Sequence, residues 1–199
     1  MGDEKKRRVL AAAKEVFMRY GYKRVTMGDI AKEAGMSRPA LYLVFQCKPD
    51  IFKGVVREFS TDALAEIRAE IADLDSVEAK LETMFDIWSV RPYELFHQAP
   101  DAKELADVGH DVAGKVIAKG YTEFEKVLAS VLAVDKAALK KAGMTPALLA
   151  RIMSLAARGF KEGAKDPAEF RQLIGGLIAA ALAAGGHTRK VPKPKRRAG

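Results

Sequence analysis

Residues 26–48 carry side chains whose types and spacing suit the binding of a polyanion. Thr26 and Asp29 form a capping-box pattern, in which a hydroxyl accepts a free backbone N–H at a helix start. Ser37 can cap a second helix only two residues after Gly35, which favours the left-handed conformation that ends a helix. Helix N-termini direct unpaired N–H groups outward and favour phosphate. Two short helices around a tight turn are typical of a helix-turn-helix, whose second helix enters the major groove of DNA.

The elements that position this motif are predicted to be helices. Apolar residues recur at helical spacing along the chain, and no segment shows a convincing strand pattern. Thr145-Pro146 and Asp166-Pro167 each place a capping residue before a proline, which marks a helix start, whereas Arg91-Pro92 and Pro100 predict breaks. Besides the helix-turn-helix, helices are predicted over residues 4–20, 49–72, 77–90, 92–98, 101–106, 111–133, 135–142, 146–163 and 167–184.

Length and composition are those of a globular protein in a reducing compartment. A chain of 199 residues can bury a core and suits one domain or two small ones. The single cysteine, Cys47, excludes an internal disulfide framework. The charged start MGDEKKRRV does not fit a signal peptide, and the most apolar run, residues 173–184, is too short to span a bilayer. We therefore expect a cytoplasmic protein without a membrane partner.

The basic charge of the chain is concentrated at its two ends. Residues 1–60 hold 13 lysines and arginines against 7 acidic residues, and residues 189–199 hold 6 basic residues and no acidic one. Residues 61–188 are acidic on balance, although the whole chain has a net charge of +8. Basic surfaces are common on solvated proteins, but beside a helix-turn-helix they indicate a nucleic-acid binder.

The N-terminal segment resembles a known family. Residues 9–53 are similar to the N-terminal domain of TetR/AcrR-type transcriptional regulators, through AAAKEVFMRYGYKRVTMGDIAKEAGMS, the RPALY helix start, Phe45 and Lys48. The resemblance implies an all-α fold, with an N-terminal three-helix helix-turn-helix domain followed by a larger helical ligand-binding and dimerisation domain. The predicted units are a DNA-binding domain over 1–50, a regulatory and dimerisation domain over 51–186, and a disordered basic tail over 187–199. No cofactor is implied.

The resemblance also implies roles for single residues in binding double-stranded DNA. Thr26, Tyr42 and Lys48 would contact the phosphate backbone, which gives affinity but little sequence information. Arg38 is the candidate for bidentate hydrogen bonds to guanine, at the exposed start of the second helix. The remaining members of the predicted site are the cap Ser37 and two residues limited to apolar contact, Pro39 and Ala40. The alternative for Tyr42 is a residue at the edge of the core, and for Arg38 a solvated one.

The sequence departs from the family pattern at three places. Leu43 and Val44 stand between Tyr42 and Phe45, where polar or aromatic residues are usual, so apolar surface is expected to be exposed there. Cys47 stands where a serine cap is usual, which weakens the next helix start, and Pro39 replaces a small residue. These departures affect which operator is read rather than whether DNA is bound.

The C-terminal helices suit a homodimer better than they define a ligand site. Small and apolar residues predict a four-helix interface between two copies; the candidates are Leu149, Ile152, Met153, Phe170, Leu173, Ile174, Leu177 and Ile178. Candidate residues for a small-molecule effector mix aromatic bulk with polar tips, although a helical core would look the same; they are Met84, Trp88, Tyr93, Phe96, His97, His110 and Tyr121. The two histidines have no metal-ligand spacing, and no nucleophile–base pair or phosphate loop is present, so no metal and no enzyme is predicted.

The sequence thus predicts a dimeric transcriptional regulator, most simply a ligand-responsive repressor of a palindromic operator. The long helix from residue 49 would couple ligand to DNA, because a ligand that prefers badly spaced recognition helices must weaken operator binding. The sequence leaves two alternatives open. One is a ligand-independent regulator controlled by a protein partner, and the other is a helical small-molecule binder with a vestigial DNA motif.

Overall fold

The described part of the chain is built from helices and contains no strand, as the all-α prediction required. The computed structural model describes residues 2–98 and 102–187, so the predicted basic tail lies outside it beyond His187. The α-helices are α1 (Gly2–Tyr20), α2 (Met27–Glu33), α3 (Arg38–Tyr42), α4 (Lys48–Glu70), α5 (Val77–Phe85), α6 (Arg91–Gln98), α7 (Ala102–Leu132), α8 (Lys136–Lys141), α9 (Pro146–Gly163) and α10 (Pro167–Ala184). No helix within these ranges is both long and apolar enough to cross a membrane.

The capping residues set the starts of the last two helices. The Thr145 hydroxyl accepts the N–H of Leu148 at 3.1 Å, and the Asp166 carboxylate accepts the N–H of Glu169 at 2.8 Å. Each cap satisfies a backbone donor that has no partner inside the helix, and the proline that follows has no N–H to satisfy. The bounds of α9 and α10 therefore agree with the prediction.

The predicted break at Arg91-Pro92 is wrong. A π-helical turn, Asp86–Val90, joins α5 directly to α6. A proline inside a helix removes one hydrogen bond and crowds the carbonyl four residues earlier. The carbonyl that Pro92 would crowd is that of Trp88, which lies in the wider π-helical turn. We attribute the continuity of the helix to this turn.

Helix α7 corrects a second prediction, because it joins the segments predicted as separate helices over 101–106 and 111–133. Its first turns bury Leu105 and Val108 against the N-terminal helices, and its last turns bury Phe124 and Leu128 among the C-terminal helices. Val108 lies in the gap between the two predicted segments, so its burial in the N-terminal core stabilises the helix where the sequence predicted an interruption.

The buried side chains form two hydrophobic cores. The N-terminal core lies among α1, α2, α3 and the start of α4, and includes Val9, Phe17, Ile30, Leu41, Phe52 and Leu105. The C-terminal core lies among the later helices and includes Leu64, Phe85, Trp88, Phe124, Met153 and Phe170. Helices α4 and α7 each contribute to both cores, so they physically connect them. The predicted boundary at residue 50 falls within the first turn of α4 and stays a prediction.

Candidate nucleic-acid interface

Helix α2 begins with a complete capping box. The Thr26 hydroxyl accepts the N–H of Asp29 at 3.2 Å and donates to the Asp29 carboxylate at 2.7 Å, and the Thr26 N–H donates to the same carboxylate at 2.8 Å. The hydroxyl and then the backbone N–H of Thr26 hold the pKa of Asp29 below its usual value. Because both donors of Thr26 are engaged, the donors left for a phosphate are the N–H groups of Met27 and Gly28, which have no acceptor within the helix.

A tight turn then restarts the chain as α3. Gly35 has a φ of +61°, the left-handed conformation expected after α2. The Ser37 hydroxyl accepts the N–H of Ala40 at 3.3 Å and so caps α3 as predicted. Leu41 is fully buried in the N-terminal core. Helix α3 is thus capped at its start by Ser37 and packs into the N-terminal core through Leu41. Its opposite face is exposed.

Most of the residues predicted to contact DNA lie on the exposed face of α3. Arg38 and Pro39 are exposed, and Tyr42 keeps 46% of its surface accessible. The Arg38 side chain passes beside Gly28, where a Cβ atom would lie 3.7 Å from the Arg38 Cδ. The Arg38 side chain thus packs against the first turn of α2. Ala40 is half-buried.

Lys48 makes different contacts from those predicted. Its ammonium donates to the carbonyls of Val25 at 2.8 Å, Tyr22 at 2.9 Å and Lys23 at 3.4 Å, and it lies 4.3 Å from the centre of the Tyr22 ring. Burial lowers the pKa of Lys48. An ammonium has three donors, and here all three face backbone carbonyls of the α1–α2 turn. The side chain therefore ties the start of α4 to the helix-turn-helix. Cys47, the residue before it, is exposed and makes no capping hydrogen bond.

Helix α7 reaches the same turn, through a residue that the sequence did not single out. The Glu104 carboxylate accepts the backbone N–H of Lys23 at 2.7 Å, and its negative charge raises the pKa of Lys48 against the effect of burial. Leu105 and Val108 follow it into the N-terminal core. The partner of Glu104 lies 81 residues away in the chain, so no local signal marks the contact.

The candidate effector residues are not gathered around one space. Met84, Trp88, Tyr93 and Tyr121 belong to or pack on the C-terminal core, whereas Phe96 packs on the N-terminal core; His97 and His110 are exposed. Trp88 stacks on Phe124 with ring centres 4.8 Å apart, and Tyr93 stacks on Phe170 at 4.3 Å. Among the described residues, no group of three or more potential metal ligands is close enough to hold an ion.

The candidate dimer residues divide by burial. Five of them are buried in the chain's own C-terminal core, so their side chains pack beneath the surface of α9 and α10: Leu149, Met153, Phe170, Ile174 and Ile178. Ile152 is 44% exposed, and Leu173 and Leu177 are partly exposed beside an open groove along α10. Leu148 and Leu155 extend the exposed stripe of α9 on either side of Ile152.

Comparisons with known proteins agree with this geometry. Residues 9–55 match the family described as bacterial regulatory proteins, tetR family. The HTH-type transcriptional activator FasR of Mycolicibacterium smegmatis is 31% identical over 88 residues, and the uncharacterized HTH-type transcriptional regulator YfiR of Bacillus subtilis is 31% identical over 84 residues. Each match covers 42% of this chain and 40% of the relative, so the chain spans less than half the length of these curated relatives.

The fold likeness extends over almost the whole chain. The structure of SmeT, the repressor of the Stenotrophomonas maltophilia multidrug efflux pump SmeDEF, aligns with a TM-score of 0.62 over 95% of this chain and 96% of SmeT. At 17% identity this likeness concerns the fold alone. The family match covers the helices that carry the capped turn and the exposed face of α3. Residues 9–55 of this chain thus match the tetR family of bacterial regulatory proteins, which confirms the resemblance found in the sequence.

Proposed function

We propose that the protein is a dimeric transcriptional regulator that reads double-stranded DNA with α3. The observation that carries the proposal is the exposed face of a capped, singly anchored α3, beside a basic N-terminal segment, inside the matched family domain. Arg38 supplies the base-reading guanidinium, and the free N–H groups at the start of α2 bind phosphate. Such a regulator works where the chromosome is, in the cytoplasm.

The dimer is proposed to form through α9 and α10. Leu148, Ile152 and Leu155 are 47%, 44% and 45% exposed and recur at helical spacing on one face of α9. A contiguous exposed apolar patch is typical of a protein–protein contact. Gly175 and Gly176 on α10 allow a second backbone to approach closely. A two-fold dimer would place two copies of α3 about 34–36 Å apart and so select a palindromic operator.

Control by an effector is proposed to act through both connecting helices. Arg91 ties α4 to the π-helical turn, because its guanidinium donates to Glu66 at 2.6 Å and to Asp86 at 2.7 Å. Glu104 ties α7 to the α1–α2 turn. A small molecule that opens the Trp88–Phe124 stack would shift both helices and change the spacing of the recognition helices. Trp88 is the only tryptophan, so its fluorescence reports directly on such binding.

A second candidate is a regulator controlled by a protein partner instead of a small molecule. The observation that favours it is the packing of Trp88 against Phe124 and Tyr121, since a small molecule that binds there would have to displace these ring contacts. A panel of apolar and aromatic compounds distinguishes the two candidates. A compound that changes both Trp88 fluorescence and operator affinity supports an effector, whereas compounds that leave both unchanged support a protein partner.

The direction of regulation is proposed to be repression. The named relatives include both an activator, FasR, and a repressor, SmeT. A dimer bound across a promoter excludes polymerase by occupying its site, which needs no further activity from the protein. A reporter under the selected operator should be transcribed less when the protein is present, and higher transcription would reassign it as an activator.

Selection of bound sequences from random duplex DNA tests the central proposal. The wild-type protein should select a palindromic motif, and Arg38→Ala should blur the motif at one position in each half-site. The matched control is Arg57→Ala, which removes an exposed arginine of α4 outside α3. Salt-sensitive binding without a motif would refute sequence reading and leave a helical protein with a basic surface.

A further inference from the structure

Leu43 is the most exposed large apolar side chain in the described ranges, with 89% of its surface accessible. It is not a loose loop residue, because its backbone N–H donates to the Pro39 carbonyl at 3.2 Å and its φ and ψ are helical. The backbone of Leu43 is therefore held in a fixed position directly after α3. A single exposed leucine is common on protein surfaces; what distinguishes Leu43 is that other exposed apolar side chains adjoin it.

Leu43 completes an apolar strip on α3 that also contains Pro39 and Tyr42. Residues three and four apart lie on the same side of a helix, so these three side chains share the face opposite the buried Leu41. Arg38 borders the strip at its start. The strip is thus continuous with the proposed base-reading surface and lies in the basic part of the chain.

The chemistry of the major groove decides what an apolar strip can contact there. Phosphates and most base edges offer only charge or hydrogen bonds, which an isobutyl group cannot use. The 5-methyl group of thymine is the apolar feature that base pairs present in the major groove. Covering this methyl removes apolar surface of both DNA and protein from water, which is favourable.

We propose that Leu43 reads the 5-methyl group of a thymine in each operator half-site. The inference rests on the proposed function and adds one specific position to it. Pro39 and Leu43 are four residues apart, about 6 Å along a helix axis, and successive bases on a strand are about 3.4 Å apart. With α3 aligned along the groove, the thymine read by Leu43 would lie about two base pairs from the position next to Pro39 and Arg38.

Replacement of thymine by deoxyuracil tests the proposal, because it removes only the methyl group. Each thymine pair of the selected operator is replaced in turn, and affinities are measured for wild type and Leu43→Ala. One symmetric pair should weaken wild-type binding about fourfold per half-site, or about 16-fold in the full palindrome. The same replacement should leave the affinity of Leu43→Ala unchanged. Leu43→Met keeps a long apolar side chain and should keep the dependence on that thymine.

The control is Val134→Ala, which truncates another apolar residue that is 77% exposed but lies far along the chain in the turn before α8. It should show the wild-type response to every deoxyuracil. An equal cost of deoxyuracil in wild type and Leu43→Ala would overturn the inference while leaving sequence-specific binding intact. Failure of the wild-type protein to select any motif would refute the proposed function and this inference together.

Discussion

Replacing Lys48 by methionine distinguishes a residue that binds the DNA backbone from one that positions the helix-turn-helix. The family resemblance implied that Lys48 contacts the DNA backbone, whereas its ammonium donates to the carbonyls of Val25, Tyr22 and Lys23. Lys48→Met keeps an unbranched stem of similar length and removes the charge with its three donors. The experiment therefore measures the contacts of the ammonium with little loss of packing.

The structure sets the size of the expected effect. Two of the three hydrogen bonds are short, at 2.8 and 2.9 Å, and the third is longer at 3.4 Å. Hydrogen bonds to a charged group contribute about 1.5–3 kcal/mol each, but burial of the ammonium offsets part of this. We expect Lys48→Met to lower the free energy of unfolding by about 2–3 kcal/mol.

DNA binding provides the contrasting measurement. Loss of a phosphate contact flattens the plot of log affinity against log salt by about 0.9 for each contact. If Lys48 only positions the helix-turn-helix, chemical denaturation shows the loss of stability while the salt slope stays at the wild-type value. A flatter slope with unchanged stability would refute the positioning role and restore the predicted phosphate contact.

Three further changes test the packing, the cap and the dimer. A Cβ at Gly54 would lie 2.6 Å from a methyl of Leu10, so an alanine there requires the Leu10 side chain to move. Gly54→Ala should therefore be less favourable in the wild type than in a Leu10→Ala background, where it should stabilise the protein by up to about 1 kcal/mol. Because Thr26 lowers the pKa of Asp29, the stabilisation by this carboxylate is present above about pH 4 and is lost as pH falls through the lowered pKa. The stability difference between wild type and Asp29→Asn should therefore shrink from about pH 6 to about pH 3, as followed by urea denaturation. Ile152→Glu should convert the proposed dimer to monomer in sedimentation velocity, because a carboxylate on the exposed stripe of α9 would be desolvated in the interface.

Each of these predictions has an outcome that contradicts it. If Gly54→Ala changed stability equally in the wild type and in the Leu10→Ala background, its effect would not depend on the contact between Gly54 and Leu10. A stability difference independent of pH would show that the carboxylate charge does not stabilise the cap. If Ile152→Glu remained a dimer, the interface would have to lie on a face other than the exposed stripe of α9.

The sequence predicted those parts of the fold whose signals are local. Thr145, Ser37 and Asp166 mark helix starts because a cap acts on donors two or three residues away. The exposure of apolar surface at Leu43 was predicted from a departure within the recognition helix, and the structure shows it at 89%. Such features depend on neighbours in the chain, so a single sequence contains them.

The parts that the sequence did not predict depend on distant partners. The Lys48 ammonium bonds to carbonyls 23–26 residues away, and Glu104 bonds to a backbone N–H 81 residues away. The continuity of α7 likewise depends on two cores that pack its two ends. The buried members of the predicted dimer set, such as Met153, had the same pattern as exposed ones, since both the core and an interface are apolar.

The most direct test of the central claim compares two affinities of the protein. One is for the selected palindrome, and the other is for the same duplex with five extra base pairs between its half-sites. Two copies of α3 in a two-fold dimer need half-sites on the same face of the DNA, and five base pairs turn one half-site to the opposite face. The wild-type protein should bind the intact palindrome at least about 100-fold more tightly than the extended duplex. Equal affinity for the two duplexes would contradict the account of paired recognition helices.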